Sequence, residues 1–335
     1  MNIAQGVQLR SIGSFLVGGE IRSLRGLPPR RARLAQGAEP RAIDPNGDLM
    51  TGQLYAQVFE LAQPRWPVPV VFWHGGGMTG VNWETTPDGR PGWLWLFLQA
   101  GFNVIVCDAF ERGRASWSPY PEIYAQEPIF RTLDEGWSLF RIGPEGGYAS
   151  EPARRRAHPG TRFPVQAYDA FAQQWVARWP GHEAPTLAAY DRLLERVGAC
   201  VLVGHSQGGG FALAAARRHA QSVLATVALE PSGAPTAEVD VDVAIEVDAG
   251  LPAHLLVWGD RVLEHPQWRR YREVVDAYAR RIADRGVATL TVDLAAEGVF
   301  GNSHFLMMDD NSAELALRVQ QWIAALPALQ AVERR

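Results

Sequence analysis

Lysine is absent from this 335-residue chain: all 32 basic residues are arginine, set against 36 acidic ones for a net charge of -4. A balance on the acidic side argues against nucleic acid as a partner, and the all-arginine set reads as coding composition rather than phosphate recognition. The clusters Arg30-Arg31-Arg33 and Arg154-Arg155-Arg156 are read as solvated surface. Cysteine is scarce too: Cys107 and Cys200 each fall in an apolar run, so they read as buried thiols and the count excludes a disulfide-stapled fold. No run of 18 apolar residues occurs, which argues against a membrane helix. Met1 to Arg10 lacks a basic region followed by an apolar one, so the chain reads as cytoplasmic, or as periplasmic or secreted if an export signal has been removed. No internal repeat or low-complexity tract is found. The acidic stretch with Glu238, Asp240, Asp242, Glu246 and Asp248 alternates without the spacing of a calcium loop, and reads as a solvated excursion with no metal site.

What is present describes an ordinary globular protein. A hydrophobic fraction of 47% with 20% charged residues, at this length, is expected to form one large α/β domain carrying an insertion. Its most informative stretch is Cys200 to Val203, four apolar residues typical of a strand buried on both faces, followed by Gly204-His205-Ser206-Gln207-Gly208 and a helical run over Phe211 to His219. A strand that reverses into a helix within a few residues forces the central residue into a strained conformation. Only small neighbours permit the close approach, which is the reason for G-x-S-x-G. Ser206 is then exposed at the turn, with the Gln207 amide at the start of the helix beside it.

A second loop fits the first. Val68 to Trp73 is an apolar run ending in His74-Gly75-Gly76-Gly77-Met78-Thr79-Gly80, whose backbone amides are unshielded by side chains. Attack of a serine on an acyl carbon builds an oxyanion that needs two donors, and the amides of Gly76 and Gln207 are the expected pair. The loop lacks the Lys-Ser/Thr ending of a P-loop and the G-x-G-x-x-G spacing of a dinucleotide site, so no nucleotide or other organic cofactor is expected.

Further strands are expected over Gln8 to Leu24, Thr51 to Leu61, Asn103 to Asp108, Val223 to Leu229, Ala253 to Trp258 and Val287 to Leu294, with a loop over Pro28 to Asp48. Helices are expected over Pro91 to Ala100, Thr186 to Val197, His265 to Arg285 and Ser312 to Ala325. The alternation after residue 68 predicts a mostly parallel central sheet with helices on both faces. Residues 109–185 break it, with Trp117, Trp137, Trp175, Trp179, Tyr120, Tyr124, Tyr148, Phe130, Phe140 and Phe163 among many prolines and glycines. Too long for a connection and too aromatic for disorder, this stretch is expected to be an inserted cap, in part lining an apolar pocket. It divides the core into residues 1–108 and 186–335.

Serine needs a base, and imidazole has the suitable pKa. Of the eight histidines, His304 alone sits in a loop after the last expected strand, while His74 and His205 are tied to their turns. Two carboxylates compete to orient it: Asp260 at the end of the seventh strand, the commoner place, and Glu230 at the end of the sixth, whose longer side chain still reaches. Ser206, acid and His304 in that order is the arrangement of the α/β-hydrolase fold.

The span from about residue 65 to 325 resembles the α/β-hydrolase superfamily. The set H-G-G-G-M-T-G, N-W-E-T-T-P-D-G-R-P-G-W (Asn82 to Trp93), G-H-S-Q-G-G, A-L-E-P-S-G and G-N-S-H is similar to one bacterial carboxylesterase group within it. That resemblance implies Ser206 as nucleophile, His304 as base, Glu230 as acid, and Gly76 with Gln207 as oxyanion donors. It also implies a cap after strand four, a homodimer, and action on carboxylic esters, including methyl or ethyl esters of sulfonylurea herbicides. Some members carry a cysteine pair where Gly76-Gly77 stand here, so their loop disulfide is absent from this chain and the loop is expected to be more mobile. The aromatic insertion points to a bulky or partly aromatic ester. Lactone, amide or carbon-carbon bond cleavage with the same triad, and a non-catalytic ligand-binding role, are the competing readings.

Overall fold

The computed structural model describes residues 6–235 and 250–333, so the acidic stretch from Glu238 to Asp248 lies outside the described residues. The chain opens with a long hairpin, β1 (Leu9–Leu24) against β4 (Gly47–Leu61), with β2 (Arg30–Ala32) and β3 (Arg41–Ile43) paired between them. The stretch over Pro28 to Asp48 is therefore not all loop: it carries this small antiparallel ribbon, and β4 begins before Asp48. Only three residues in each arm pair, too few for the alternation of a strand to stand out in sequence.

Five short apolar strands follow: β5 (Val70–Trp73), β6 (Val104–Asp108), β7 (Cys200–His205), β8 (Val223–Leu229) and β9 (Ala253–Trp258), with β10 (Thr289–Asp293) at the edge. The eight-stranded sheet runs β1-β4-β6-β5-β7-β8-β9-β10. From β6 onward its pairs are parallel, whereas β4 runs antiparallel to both β1 and β6. This is the α/β-hydrolase fold.

The continuous apolar character of the central strands follows from burial on both faces. Alternate residues of one strand enter different cores. Val70 and Phe72 join Trp83, Trp93 and Phe97 on one side of the sheet. Val71 and Trp73 join Tyr190, Leu193 and Ala212 on the other. Phe72 sits 4.7 Å from the Trp83 ring and 5.1 Å from that of Phe97. Such aromatic pairs each contribute about 0.5–1.5 kcal/mol beyond the area they bury.

The first face is covered by α1 (Val81–Glu84), α2 (Trp93–Gln99) and α8 (Ser312–Ala324), and the second by α5 (Glu183–Val197) and α6 (Gln207–Arg218). A third core forms where α7 (Pro266–Ala283) packs Trp268, Val275 and Ile282 against Leu256 and Trp258 of β9. A short α9 (Pro327–Glu333) closes the chain. Glycines end these helices where a left-handed residue is required: Gly101 (φ 90°) after α2, Gly198 (φ 72°) after α5 and Gly286 (φ 85°) after α7. His265 is not the first turn of α7 but its cap, accepting a bond from the Gln267 amide, with Pro266 at the first helical position.

Between β6 and α5 lie residues 109–182, with the short helices α3 (Leu133–Leu139) and α4 (Tyr168–Ala172). Trp137, Phe140, Tyr168 and Phe171 of this segment are buried and join the first core. Trp179 and Tyr124 join the second. Among the described residues no helix is long and apolar enough to cross a membrane.

Candidate active site

Strand register brings the loops of interest together. Trp73 lies beside Gly204, His205 beside Leu229, and Leu229 beside Val257, so the residues that follow β5, β7, β8 and β9 emerge side by side at the carboxyl edge of the sheet.

Ser206, between β7 and α6, has φ 54° and ψ -118°. A non-glycine residue held there costs on the order of 1–3 kcal/mol, so surrounding bonds must fix it. The Ser206 amide donates to Leu229 O at 2.9 Å, and its carbonyl accepts from the amides of Gly210 and Ser232, each at 3.1 Å. The flanking glycines are steric necessities. A Cβ on Gly204 would stand 2.3 Å from Gly208 O, and one on Gly208 would stand 2.4 Å from His74 O.

The Gly75-Gly76-Gly77 loop lies against this turn. A Cβ on Gly75 would be 3.1 Å from Cβ of Ser206, and one on Gly76 would be 3.0 Å from Oε1 of Gln207. His74 holds the base of the loop: its Nδ1 donates to Gly75 O at 2.8 Å and its Nε2 accepts from the Ala109 amide at 3.0 Å, and burial pushes its pKa down to about 4.

His304 is fully buried, its Nδ1 donating to Oε2 of Glu230 at 2.9 Å. That bond fixes the tautomer and leaves Nε2 without a proton. The ring lies 4.0 Å from that of Trp268 and stacks on Phe140, the His304 amide donates to Phe140 O at 3.0 Å, and Nε2 of His205 donates to His304 O at 2.9 Å. Burial, and then the positive charges of Arg141 and Arg131, hold the His304 pKa well below that of ordinary imidazole.

Glu230 takes a left-handed conformation (φ 47°) directly after β8, its amide donating to Val257 O at 2.8 Å. Its Oε1 accepts from the Gly259 amide at 2.7 Å and from Nη2 of Arg141 at 2.5 Å. Asp260 does not meet His304. Its Oδ1 accepts from the Arg261 amide and its Oδ2 from the Gly301 amide, so it ties the end of β9 to the loop that carries His304.

Nothing in the sequence singles out Arg141, one of 32 arginines, in a stretch without periodicity. Its side chain is 2% exposed; besides the bond to Glu230, its Nε donates to Asp260 O at 2.8 Å. Nor does any motif mark Asp309. It accepts from Asn302 Nδ2, the Ser303 amide and Ser303 Oγ, which holds the loop before His304, and burial pushes its pKa up to about 7.

Ser206 and His304 line one cavity of about 290 Å³, with Gly75, Gly76, Phe140, Trp179, Trp268 and Tyr271 among its walls. Among the described residues no three His, Cys, Asp or Glu side chains converge as metal ligands.

The family model Esterase matches residues 144–315, about half of the chain. The chain belongs to the esterase family. This esterase is similar to the "probable secreted lipase phiG" of Fungal sp. (strain ATCC 74256), at 28% identity over 320 residues, covering 81% of this chain and 85% of the relative. It is also similar to a solved structure described as a novel bacterial esterase, with 29% identity, a TM-score of 0.80, and coverage of 96% of this chain and 98% of the other. These likenesses make the protein a carboxylic-ester hydrolase of α/β-hydrolase fold.

Proposed function

We propose that this esterase is a serine carboxylesterase that works through an acyl-enzyme on Ser206. The observation that carries the reading is the His304–Glu230 bond beside the cavity that also holds Ser206 in its strained turn. With Nδ1–H committed to Glu230, Nε2 takes the proton from Ser206 Oγ as the oxygen bonds to the ester carbonyl carbon. The amides of Gly76 and Gln207 receive the oxyanion. The proton on Nε2 passes to the alkoxy oxygen as the carbon-oxygen bond of the leaving alcohol breaks. Water then attacks the acyl carbon, gives its proton to Nε2, and the acid leaves as Ser206 regains its hydrogen.

Residues 109–182 act as the cap. Phe140 and Trp179 from this segment, with Trp268 and Tyr271 of α7, make an aromatic pocket near the small end of the usual size range for ligand sites, which suits a compact, partly aromatic ester and departs from the bulky one the sequence suggests. A fluorophosphonate reagent tests the nucleophile: it should inactivate the enzyme and add its mass to the peptide containing Ser206. Labelling at another residue, or full activity after stoichiometric labelling of Ser206, would contradict the reading.

A further inference from the structure

Two guanidinium groups line the same cavity as Ser206, those of Arg131 and Arg178. Both stand next to the glycine loop: a Cβ on Gly77 would lie 3.4 Å from Nη1 of Arg131 and 3.8 Å from Cδ of Arg178. The segment is pinned there by backbone bonds, Val176 N donating to Gly77 O at 2.9 Å, and Ile129 and Arg178 exchanging amide bonds at 2.7 and 3.1 Å.

Their compensation is poor. A single oxygen of Glu135, Oε1, serves both, at 3.4 Å from Nε of Arg131 and 3.6 Å from Nη2 of Arg178. Both separations exceed the usual length of a charge-assisted bond, and Glu135 is itself 39% exposed. Arg131 is 6% exposed and lies over the Phe140 ring at 4.7 Å. Burial and the neighbouring charge of Arg178 bring its pKa down to about 10. Among the described residues the other carboxylates nearby do not relieve the pair. Glu230 is bound to Arg141 and His304, and Glu183, on the cavity wall, is exposed and forms no ion pair with either arginine. Positive charge, desolvated at Arg131 and 36% exposed at Arg178, is therefore held beside the place where an ester carbonyl would meet Ser206.

We propose that Arg131 and Arg178 form a receptor for an anionic group, so that the preferred substrate is an ester carrying a second, negatively charged function such as a carboxylate. The inference rests on the ester-hydrolase reading above. Planar guanidinium forks recognise a carboxylate bidentately, and the low dielectric of the cavity strengthens the contact. The aromatic walls receive the rest of the molecule.

Two matched pairs of esters test this. Monomethyl terephthalate against methyl 4-carbamoylbenzoate places the charge on the acid half, and 4-acetoxybenzoate against 4-acetoxybenzamide places it on the alcohol half. In at least one pair the wild-type enzyme should favour the anion in kcat/KM by about ten- to a hundredfold, mainly through KM. In Arg178→Gln and Arg131→Gln that preference should collapse to within about twofold, while Arg131→Lys, which keeps the charge and loses the fork, should retain part of it. No preference in either pair overturns the proposal. So does an equal fall on both members of a pair, which would assign the arginines to the reacting carbonyl or to packing. Calorimetric titration of Ser206→Ala with the same four esters reads binding without turnover. A folded wild type that hydrolyses none of them counts against the esterase mechanism, while the binding preference for the anionic member still decides for or against the receptor.

Discussion

The guanidinium of Arg141 donates to Oε1 of Glu230 at 2.5 Å while the other oxygen of that carboxylate holds Nδ1 of His304. An arginine from the segment between β6 and α5 thus sets the orientation of the carboxylate that holds the histidine. Both partners are buried, so deleting the arginine leaves the carboxylate charge inside the protein without its ion-pair partner, at a cost of about 3–5 kcal/mol.

The electrostatic consequence has a definite sign. In the proposed mechanism His304 serves as base only when neutral, and burial followed by the Arg141 charge depresses its pKa, so activity should persist below the ordinary imidazole range as pH falls. Arg141→Met should move the acid limb of the kcat/KM profile upward and lower the plateau, whereas Arg141→Lys should leave the limb near its wild-type position. An acid limb unmoved in Arg141→Met, measured below its melting temperature, would show that Arg141 does not act through His304.

Glu230 and Asp260 should part in behaviour. Glu230→Gln keeps the shape but no longer selects the Nδ1–H tautomer and leaves the buried Arg141 without its counter-ion, so turnover should fall on the order of 10⁴-fold alongside a stability loss of about 3–5 kcal/mol. Asp260→Asn weakens bonds to the Arg261 and Gly301 amides and should cost about 1–3 kcal/mol in denaturant unfolding with a much smaller effect on kcat. Comparable kcat losses in the two variants would mean that the acid's role is shared.

The turn around Ser206 makes a steric prediction. Gly208→Ala pushes a methyl group into His74 O, a backbone atom that cannot step aside, and should destabilise by about 4 kcal/mol or more if the chain folds at all. Gly13→Ala, in β1 with nothing within 4 Å of its Cβ, should stay within about 0.5 kcal/mol of wild type. Thermal melts of the two proteins compare them directly.

Asp309 should leave a signature in stability against pH. Its folded pKa near 7 lies above the ordinary 3.8, so the folded state binds the extra proton between those values. Its stabilising contribution is full below the unfolded pKa and is lost as pH rises through about 7. Relative to Asp309→Asn, wild type should lose up to about 1.4 kcal/mol per pH unit across that window. A pH-independent difference between the two would refute the shifted carboxyl.

The parts of the molecule differ in how well sequence exposes them. Strands such as Val223–Leu229 and Ala253–Trp258 are legible because burial on both faces leaves an unbroken apolar run. The turn at Ser206 is legible because sterics demand glycine at fixed offsets. The choice between Glu230 and Asp260 is not: both follow neighbouring strands, and the contact that separates them joins residues 74 apart. Arg141, Arg131 and Arg178 are invisible for a related reason. Residues 109–182 fold by aromatic packing against the sheet, without a helical or strand period to say which arginine points inward.

The central claim is a covalent acyl-enzyme on Ser206, and the most direct measurement is pre-steady-state release of p-nitrophenol from a short-chain p-nitrophenyl ester series by wild type and Ser206→Ala. A burst of about one equivalent per chain is expected in wild type and should be lost in the variant, whose turnover falls on the order of 10⁴- to 10⁶-fold. A burst that survives in folded Ser206→Ala would contradict that claim.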